Sequence, residues 1–141
     1  MSKKVASIIF VDDDEIIGMV TKRLLEQMQV SEEVHLFSDS LVALAFMKKK
    51  YTTGKGVGEQ ANTDLVMLDI EMPGMGGFEM LSVLKEMEKT GQLHLKNTFF
   101  TIVTSHKTEK EELLARRHQV TAILEKPLRQ QDILDLISKI R

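Results

Sequence analysis

The sequence of 141 residues contains no cysteine, no marked excess of charge of one sign and no apolar run that approaches a membrane span. Without cysteine the chain can form neither a disulfide framework nor a thiolate metal site, and it has no thiol nucleophile. A membrane span needs about 18 consecutive apolar residues, so we expect no membrane partner. The formal net charge is −2, which gives no electrostatic reason to expect nucleic acid as a partner.

The N-terminal segment does not have the pattern of a secretion signal. Residues 1–7 lead into a short apolar segment that three acidic residues follow, whereas a signal peptide has a longer apolar region and a cleavage site of small residues. Apolar residues make up 43% of the chain and charged residues 28%, as in ordinary soluble domains. We therefore expect a cytoplasmic protein with one compact domain that is long enough to bury a core.

Five segments have the composition of β-strands. Continuous apolar runs at residues 7–11 and 65–68 favour strands that are buried on both faces of a parallel sheet. The β-branched and aromatic residues at 99–104 favour a further strand. Shorter candidates lie at residues 33–37 and 121–125.

Apolar residues at helical spacing fill the intervals between these strands. The periodic segments are residues 16–28, 41–47, 78–87, 113–114 and 133–140. Candidate helix N-caps are Asp13 or Asp14, Ser38 or Asp39, and Thr108. Residues 51–63 contain three glycines and are expected to form a long loop. The alternation of strands and helices predicts an α/β fold, a doubly wound five-stranded parallel sheet with helices on both faces.

Chemically active side chains follow four of the predicted strands. Asp12 and Asp13 follow the first strand, Asp69 the third, Thr104 the fourth and Lys126 the fifth. Ligands of open parallel sheets bind at this edge, at the point where the strand order reverses. If the order is 2-1-3-4-5, the first and third strands are neighbours, and their terminal acids converge. Such acids repel one another unless a cation joins them, and Mg2+ is a hard ion that prefers oxygen ligands.

The same residues can bind a phosphoryl group. The Lys126 ammonium offers a positive charge and the Thr104 hydroxyl offers a hydrogen bond to phosphoryl oxygens. A carboxylate that attacks phosphorus forms an aspartyl phosphate. Phosphoryl transfer mainly needs positioning and neutralisation of charge, so an acid at this edge can serve as a metal ligand or as a nucleophile.

Four motifs together resemble the receiver domain of two-component response regulators. They are Val11-Asp12-Asp13-Asp14, Leu68-Asp69-Ile70-Glu71-Met72-Pro73-Gly74, Val103-Thr104-Ser105 and Glu125-Lys126-Pro127-Leu128. Each motif is weak alone, but the combination is specific, and the match spans about residues 5–141. The resemblance implies the flavodoxin-like receiver fold. We expect a stand-alone receiver over residues 1–141, with its core at about 5–141 and no output domain.

The resemblance implies a role for each acid. Asp69 would be the phospho-acceptor, and Asp12 and Asp13 would be the acidic pair that organises Mg2+. Asp69 itself and the main-chain carbonyl of Glu71 would be further metal ligands. The Glu71 side chain is a candidate modulator of the phosphoryl lifetime.

The resemblance also implies the remaining site residues and the partners. Thr104 would be the hydroxyl that responds to the phosphoryl group, and Lys126 would pair with that group, next to a cis Lys126-Pro127 peptide. The phosphoryl donor would be a phosphohistidine on a sensor histidine kinase or a histidine phosphotransfer protein, and a downstream protein would receive the signal. Ser105 and His106 are candidate modulators, because they follow Thr104 where water would attack the acyl phosphate. The chain would catalyse its own phosphorylation and dephosphorylation rather than turn over an external substrate.

Two positions depart from the family pattern. Gly76 stands where the family often has an acid, which should change the turn but not the phosphoryl site. Ile123 stands where the family usually has an aromatic residue that follows the hydroxyl inward. Because isoleucine lacks the polar handle of such a ring, it is expected to stay inside, and the signal can run instead through the loop after Thr104 and the next helix.

The acids at 109–112 are interpreted as a solvated helix start.

Two alternative functions stay open on the sequence alone. A phosphatase of the haloacid-dehalogenase type also forms an aspartyl phosphate, and its Asp-x-Asp pattern after the first strand is satisfied by residues 12–14. Against it, the chain has no cap insertion and no late acidic metal pair. The other alternative is a degenerate receiver that binds partners without phosphorylation, which Ile123 keeps open.

Overall fold

The computed structural model describes residues 5–52 and 63–140 of the chain, so most of the predicted loop at 51–63 lies outside the described residues. Within them five strands alternate with five helices. The elements are β1 (Val5–Val11), α1 (Glu15–Met28), β2 (Ser31–Phe37), α2 (Ser40–Lys50), β3 (Asp64–Asp69), α3 (Gly77–Lys89), β4 (Thr98–Thr104), α4 (Glu109–Arg117), β5 (Ala122–Glu125) and α5 (Gln130–Lys139).

The five strands form one parallel sheet in the order β2-β1-β3-β4-β5, which confirms the predicted fold and strand order. The register aligns the carboxyl ends of the strands: Val11 pairs with Leu68, and Asp69 pairs with Val103. Thr104 in turn pairs with Glu125, the residue before Lys126. Side chains that follow these four strands therefore lie at one edge of the sheet.

Helices cover both faces of the sheet. Successive residues of a strand point to opposite faces, so Ile8 and Phe10 pack in one core cluster with α1 and α5. Ile9 and Val11 pack in the other cluster with α2 and α3. Burial on both faces is the physical reason that β1 and β3 are continuous apolar runs rather than alternating ones.

Of the two neighbouring acids that follow β1, Asp13 and Asp14, only Asp14 is a helix N-cap. Asp14 caps α1 and accepts hydrogen bonds from the backbone N–H groups of Ile16 and Ile17. Asp13 is therefore not needed as a cap. Asp39 caps α2 and Thr108 caps α4, as two of the candidate positions predicted. Across residues 5–52 and 63–140, no helix is long and apolar enough to cross a membrane.

Candidate functional site

Three carboxylates meet at the carboxyl edge of the sheet. Asp12 and Asp13 follow β1 and Asp69 ends β3, and one carboxylate oxygen from each lies within 4.8 Å of the others. Asp12 and Asp69 are buried, whereas Asp13 is exposed. The convergence that the strand order predicted is therefore present, and its spacing suits a single small cation with oxygen ligands.

Lys126 is the cation that the chain itself supplies to these acids. Its Nζ lies 3.0 Å from Asp12 Oδ2 and 3.4 Å from Asp69 Oδ1. Burial alone would lower the pKa of the ammonium, but its hydrogen bond to Asp12 and the charge of Asp69 outweigh burial and raise that pKa. Lys126 is therefore held in its charged form at the centre of the site.

One lysine does not balance the negative charge of the site. Burial, and next the charge of Asp12, raise the pKa of Asp69 to about 6, although Lys126 acts in the opposite direction. A raised carboxyl pKa means that the ionised form is under-stabilised by its surroundings. The possible ligands are all carboxylate oxygens, and Lys126 alone does not neutralise them. The residues present therefore fit a divalent cation such as Mg2+.

Backbone hydrogen bonds fix the positions of these side chains. Asp12 Oδ1 accepts a hydrogen bond of 2.9 Å from the N–H of Asp14, which orients the carboxylate and leaves Oδ2 for Lys126. The N–H of Lys126 donates to the carbonyl oxygen of Thr104 at 2.8 Å. The Lys126-Pro127 peptide is cis, as the family resemblance implied.

The Thr104 hydroxyl is buried and surrounded by three polar groups. It accepts a hydrogen bond from the N–H of His106 at 3.1 Å, and it lies 3.0 Å from the His106 carbonyl oxygen and 3.1 Å from Glu111 Oε1. Glu111 belongs to the first turn of α4 and is partly buried. The interpretation of residues 109–112 as a merely solvated helix start is therefore wrong for Glu111.

These side chains line one cavity of about 360 Å³. All the acids, the threonine and the lysine that the sequence predicted for the site line it, and so do Glu71, Ser105 and His106. Glu111 also lines it, and sequence reasoning missed this residue. The spacing Thr108-x-x-Glu111 is typical of a capping box at a helix start; it singles out Glu111 but gives no signal of its contact with Thr104.

Ile123 lies outside this cavity. It is half-buried rather than fully inside, packs against the cluster of α2 and α3, and lines a separate groove of about 410 Å³ between α4, β5 and α5. The expectation that its side chain stays wholly inside is therefore met only in part. No aromatic side chain stands at this position to follow the Thr104 hydroxyl.

The turn before α3 is tightly packed at two glycines, one of which is Gly76. A Cβ atom at Gly76 would collide with the carbonyl oxygen of Ile70, and one at Gly77 would lie 2.6 Å from the carbonyl oxygen of Asp69. The N–H of Gly77 donates to that Ile70 carbonyl at 3.1 Å. The start of α3 therefore lies in close contact with the backbone at Asp69 and Ile70. A side chain at Gly76 or Gly77 would have to displace that backbone.

Comparison with known sequences agrees with this geometry. A sequence model of the response regulator receiver domain matches residues 8–138. The chain belongs to the response regulator receiver domain family. This receiver is also 22% identical over 134 residues to the probable methanogenesis regulatory protein FilR2 of Methanothrix harundinacea, across 95% of this chain and 80% of that protein.

Solved structures have the same fold as this receiver. A two-component response regulator from Cytophaga hutchinsonii matches with a TM-score of 0.81 and 19% identity over 98% of each chain. The receiver domain of the histidine kinase CKI1 from Arabidopsis thaliana, solved as a complex with Mg2+, matches with a TM-score of 0.79 and 22% identity, over 99% of this chain and 94% of that one. These structures show the shared fold, and membership of the receiver family rests on the sequence model over residues 8–138.

Proposed function

We propose that this receiver accepts a phosphoryl group on Asp69 from a phosphohistidine and signals through changed protein contacts. The observation that carries the proposal is the meeting of Asp12, Asp13 and Asp69 within 4.8 Å, with Lys126 Nζ 3.4 Å from Asp69. Lys126 can neutralise negative charge on Asp69 and on a phosphoryl group, and the two further acids can hold a cation. An open cavity in front of Asp69 leaves room for the phosphoryl group.

The transfer needs an ionised nucleophile. A carboxylate oxygen of Asp69 forms a bond to phosphorus while the bond from phosphorus to the donor imidazole nitrogen breaks; that nitrogen keeps the electron pair and takes up a proton. Because the pKa of Asp69 is about 6, most of the carboxyl is ionised at neutral pH. Lys126 then neutralises one phosphoryl oxygen, and the Thr104 hydroxyl donates a hydrogen bond to another.

Asp12, Asp13, Asp69 and the main-chain carbonyl of Glu71 are the groups that would hold Mg2+. When bound, the ion neutralises the converging acids and the phosphoryl oxygens. The fit rests on the all-oxygen donor set, which suits a hard cation, and on the raised pKa of Asp69, which indicates a deficit of positive charge.

An apolar surface beside the site suits the protein that carries the phosphohistidine. Ile16 and Val20 on α1 are 75% and 64% exposed, and with Pro127 and Leu128 they line a mainly apolar cleft of about 330 Å³ next to Lys126. Exposed apolar patches of this kind are typical of interaction sites. We propose that the histidine kinase or histidine phosphotransfer protein binds here.

The two alternatives have less support. Asp12 is 1% exposed, and both of its oxygens already accept hydrogen bonds, from Asp14 and Lys126, so it is a poor nucleophile for an external substrate. The degenerate receiver is disfavoured because Asp69, Thr104 and Lys126 all line one cavity. The cytoplasmic location and the single-domain organisation stay predictions.

Labelling with acetyl phosphate tests the proposal. We expect one phosphoryl group per chain by intact-mass spectrometry in the presence of Mg2+, and none after chelation or in Asp69→Asn. Asp135→Asn, on the exposed surface of α5, is the matched control and should label normally. Labelling that persists in Asp69→Asn would contradict the assignment. Rapid turnover of a generic phosphate ester that Asp12→Asn abolishes and Asp69→Asn does not would favour the phosphatase.

A further inference from the structure

We propose that Glu111 is a positioning residue that holds the Thr104 hydroxyl toward the first turn of α4 while Asp69 is unmodified, and that it releases this hydroxyl when Asp69 carries a phosphoryl group. The inference rests on the proposed function, because it concerns the state of Asp69. It assigns a role to a carboxylate that lines the phosphoryl cavity without belonging to the acidic cluster of Asp12, Asp13 and Asp69.

The Thr104 hydroxyl has a single proton. Its oxygen accepts from the N–H of His106, and its proton faces two acceptors, the His106 carbonyl at 3.0 Å and Glu111 Oε1 at 3.1 Å. A hydroxyl can donate to only one of these at a time, and an ionised carboxylate is the stronger acceptor. A phosphoryl oxygen on Asp69 would be a further anionic acceptor that competes for the same proton.

Glu111 stands at the capping-box position relative to Thr108, three residues after it. Thr108 is the N-cap of α4 and accepts a hydrogen bond of 3.2 Å from the N–H of Glu111, which is one half of a capping box. In α5 the residue at the same position, Asp132, makes the other half by accepting from the N–H of Arg129 at 3.0 Å. In α4 the equivalent carboxylate, that of Glu111, is within hydrogen-bond distance of the Thr104 hydroxyl instead.

Glu111 therefore has two alternative arrangements. In one it accepts from the Thr104 hydroxyl, as in this structure; in the other it accepts from the N–H of Thr108 and completes the capping box. Withdrawal of the Thr104 hydroxyl toward a phosphoryl group would move Glu111 from the first arrangement to the second. The hydrogen bonding at the start of α4 would then depend on whether Asp69 carries a phosphoryl group. This coupling needs no aromatic residue at position 123.

Fluoroberyllate, which mimics a bound phosphoryl group, provides the test. We expect Glu111→Ala to lower the fluoroberyllate concentration that half-saturates the Mg2+-loaded protein by about fivefold, because the competing acceptor is gone. Glu111→Gln keeps an acceptor oxygen but loses the charge that makes the carboxylate the stronger acceptor, so its effect should be clearly smaller than that of Glu111→Ala. Glu109→Ala removes the same charge from an exposed position in the same helical turn, and it should have no effect.

The Thr104→Ala background separates the hydrogen bond from simple charge repulsion. If Glu111 acts through the Thr104 hydroxyl, Glu111→Ala should have no effect on fluoroberyllate affinity in that background. A fivefold effect that persists there, or that Glu111→Gln reproduces in full, would overturn the inference in favour of long-range charge. In NMR spectra the amide of Thr108 should shift on fluoroberyllate addition in the unsubstituted protein and much less in Glu111→Ala.

The outcomes distinguish this inference from the function on which it rests. Failure of the unsubstituted protein to bind fluoroberyllate with Mg2+ would overturn the proposed function and the inference together. Binding with the same affinity in the unsubstituted protein and Glu111→Ala would overturn the inference alone and leave the phosphorylation of Asp69 intact.

Discussion

Replacing Asp69 with asparagine is expected to stabilise the fold at neutral pH when no divalent cation is present. Asp69 is 5% exposed, and burial and the charge of Asp12 raise its pKa from 3.8 to about 6. One pKa unit corresponds to about 1.4 kcal/mol, so the ionised carboxylate destabilises the fold by up to about 3 kcal/mol. Asparagine has nearly the same shape and no charge. Because the raised pKa of Asp69 already includes the opposing effect of Lys126, we expect the free energy of unfolding to rise by up to about 3 kcal/mol in Asp69→Asn.

The gain should depend on pH in a defined direction. Between about pH 4 and pH 6 the folded state retains a proton on Asp69 that the unfolded state has released, so this group makes the free energy of unfolding fall as the pH rises. The difference between Asp69→Asn and the unsubstituted protein should therefore be close to zero below about pH 4. It should reach its full value above about pH 6.5.

Urea denaturation in chelator across this pH range measures the effect, with the slopes of the two proteins checked for equality. Asp135→Asn should show no such pH dependence. Mg2+ should then raise the free energy of unfolding of the unsubstituted protein more than that of Asp69→Asn, because the ion binds the folded site. A difference that is constant with pH, or a variant that is less stable at about pH 8, would refute the reasoning from the raised pKa.

Three further substitutions test other features of the fold. Thr101 Oγ1 is buried without a hydrogen-bond partner among the described residues, so Thr101→Val should raise the free energy of unfolding in urea by about 1 kcal/mol. Tyr51 donates a buried hydrogen bond of 2.6 Å to Asp64 Oδ2, so Tyr51→Phe should lower that free energy by about 2 kcal/mol, which thermal denaturation would register. Gly77→Ala would place a Cβ 2.6 Å from the Asp69 carbonyl oxygen, so it should lower the free energy of unfolding by about 2 kcal/mol. It should also slow the labelling of Asp69 by acetyl phosphate; a normal labelling rate would show that the turn relaxes.

Much of the fold was predictable from local patterns. Strands that are buried on both faces need continuous apolar runs, so β1 and β3 are recognisable in the sequence. The alternation with helical periodicity left few possible topologies. The acids, Thr104 and Lys126 were found because each directly follows a strand, and parallel strands present their carboxyl ends at one edge.

Other features depended on distances between segments far apart in the chain. Asp13 and Asp14 are equivalent candidate caps in the sequence, and only the helix geometry assigns the cap to Asp14. The need for glycine at position 77 comes from a clash with the Asp69 carbonyl, a contact that no local pattern contains.

The fold class and the identities of the acids, the hydroxyl and the lysine at the sheet edge follow from the amino-acid sequence, because they depend on periodicity and on positions at strand ends. The electrostatics and the hydrogen bonds of that edge depend on the folded chain. The pKa of Asp69 rises because folding buries it beside Asp12, and Glu111 reaches Thr104 because the loop after β4 turns the first helical turn back over the cavity. Burial and proximity across the chain are properties of the packed molecule, so no local sequence pattern encodes them.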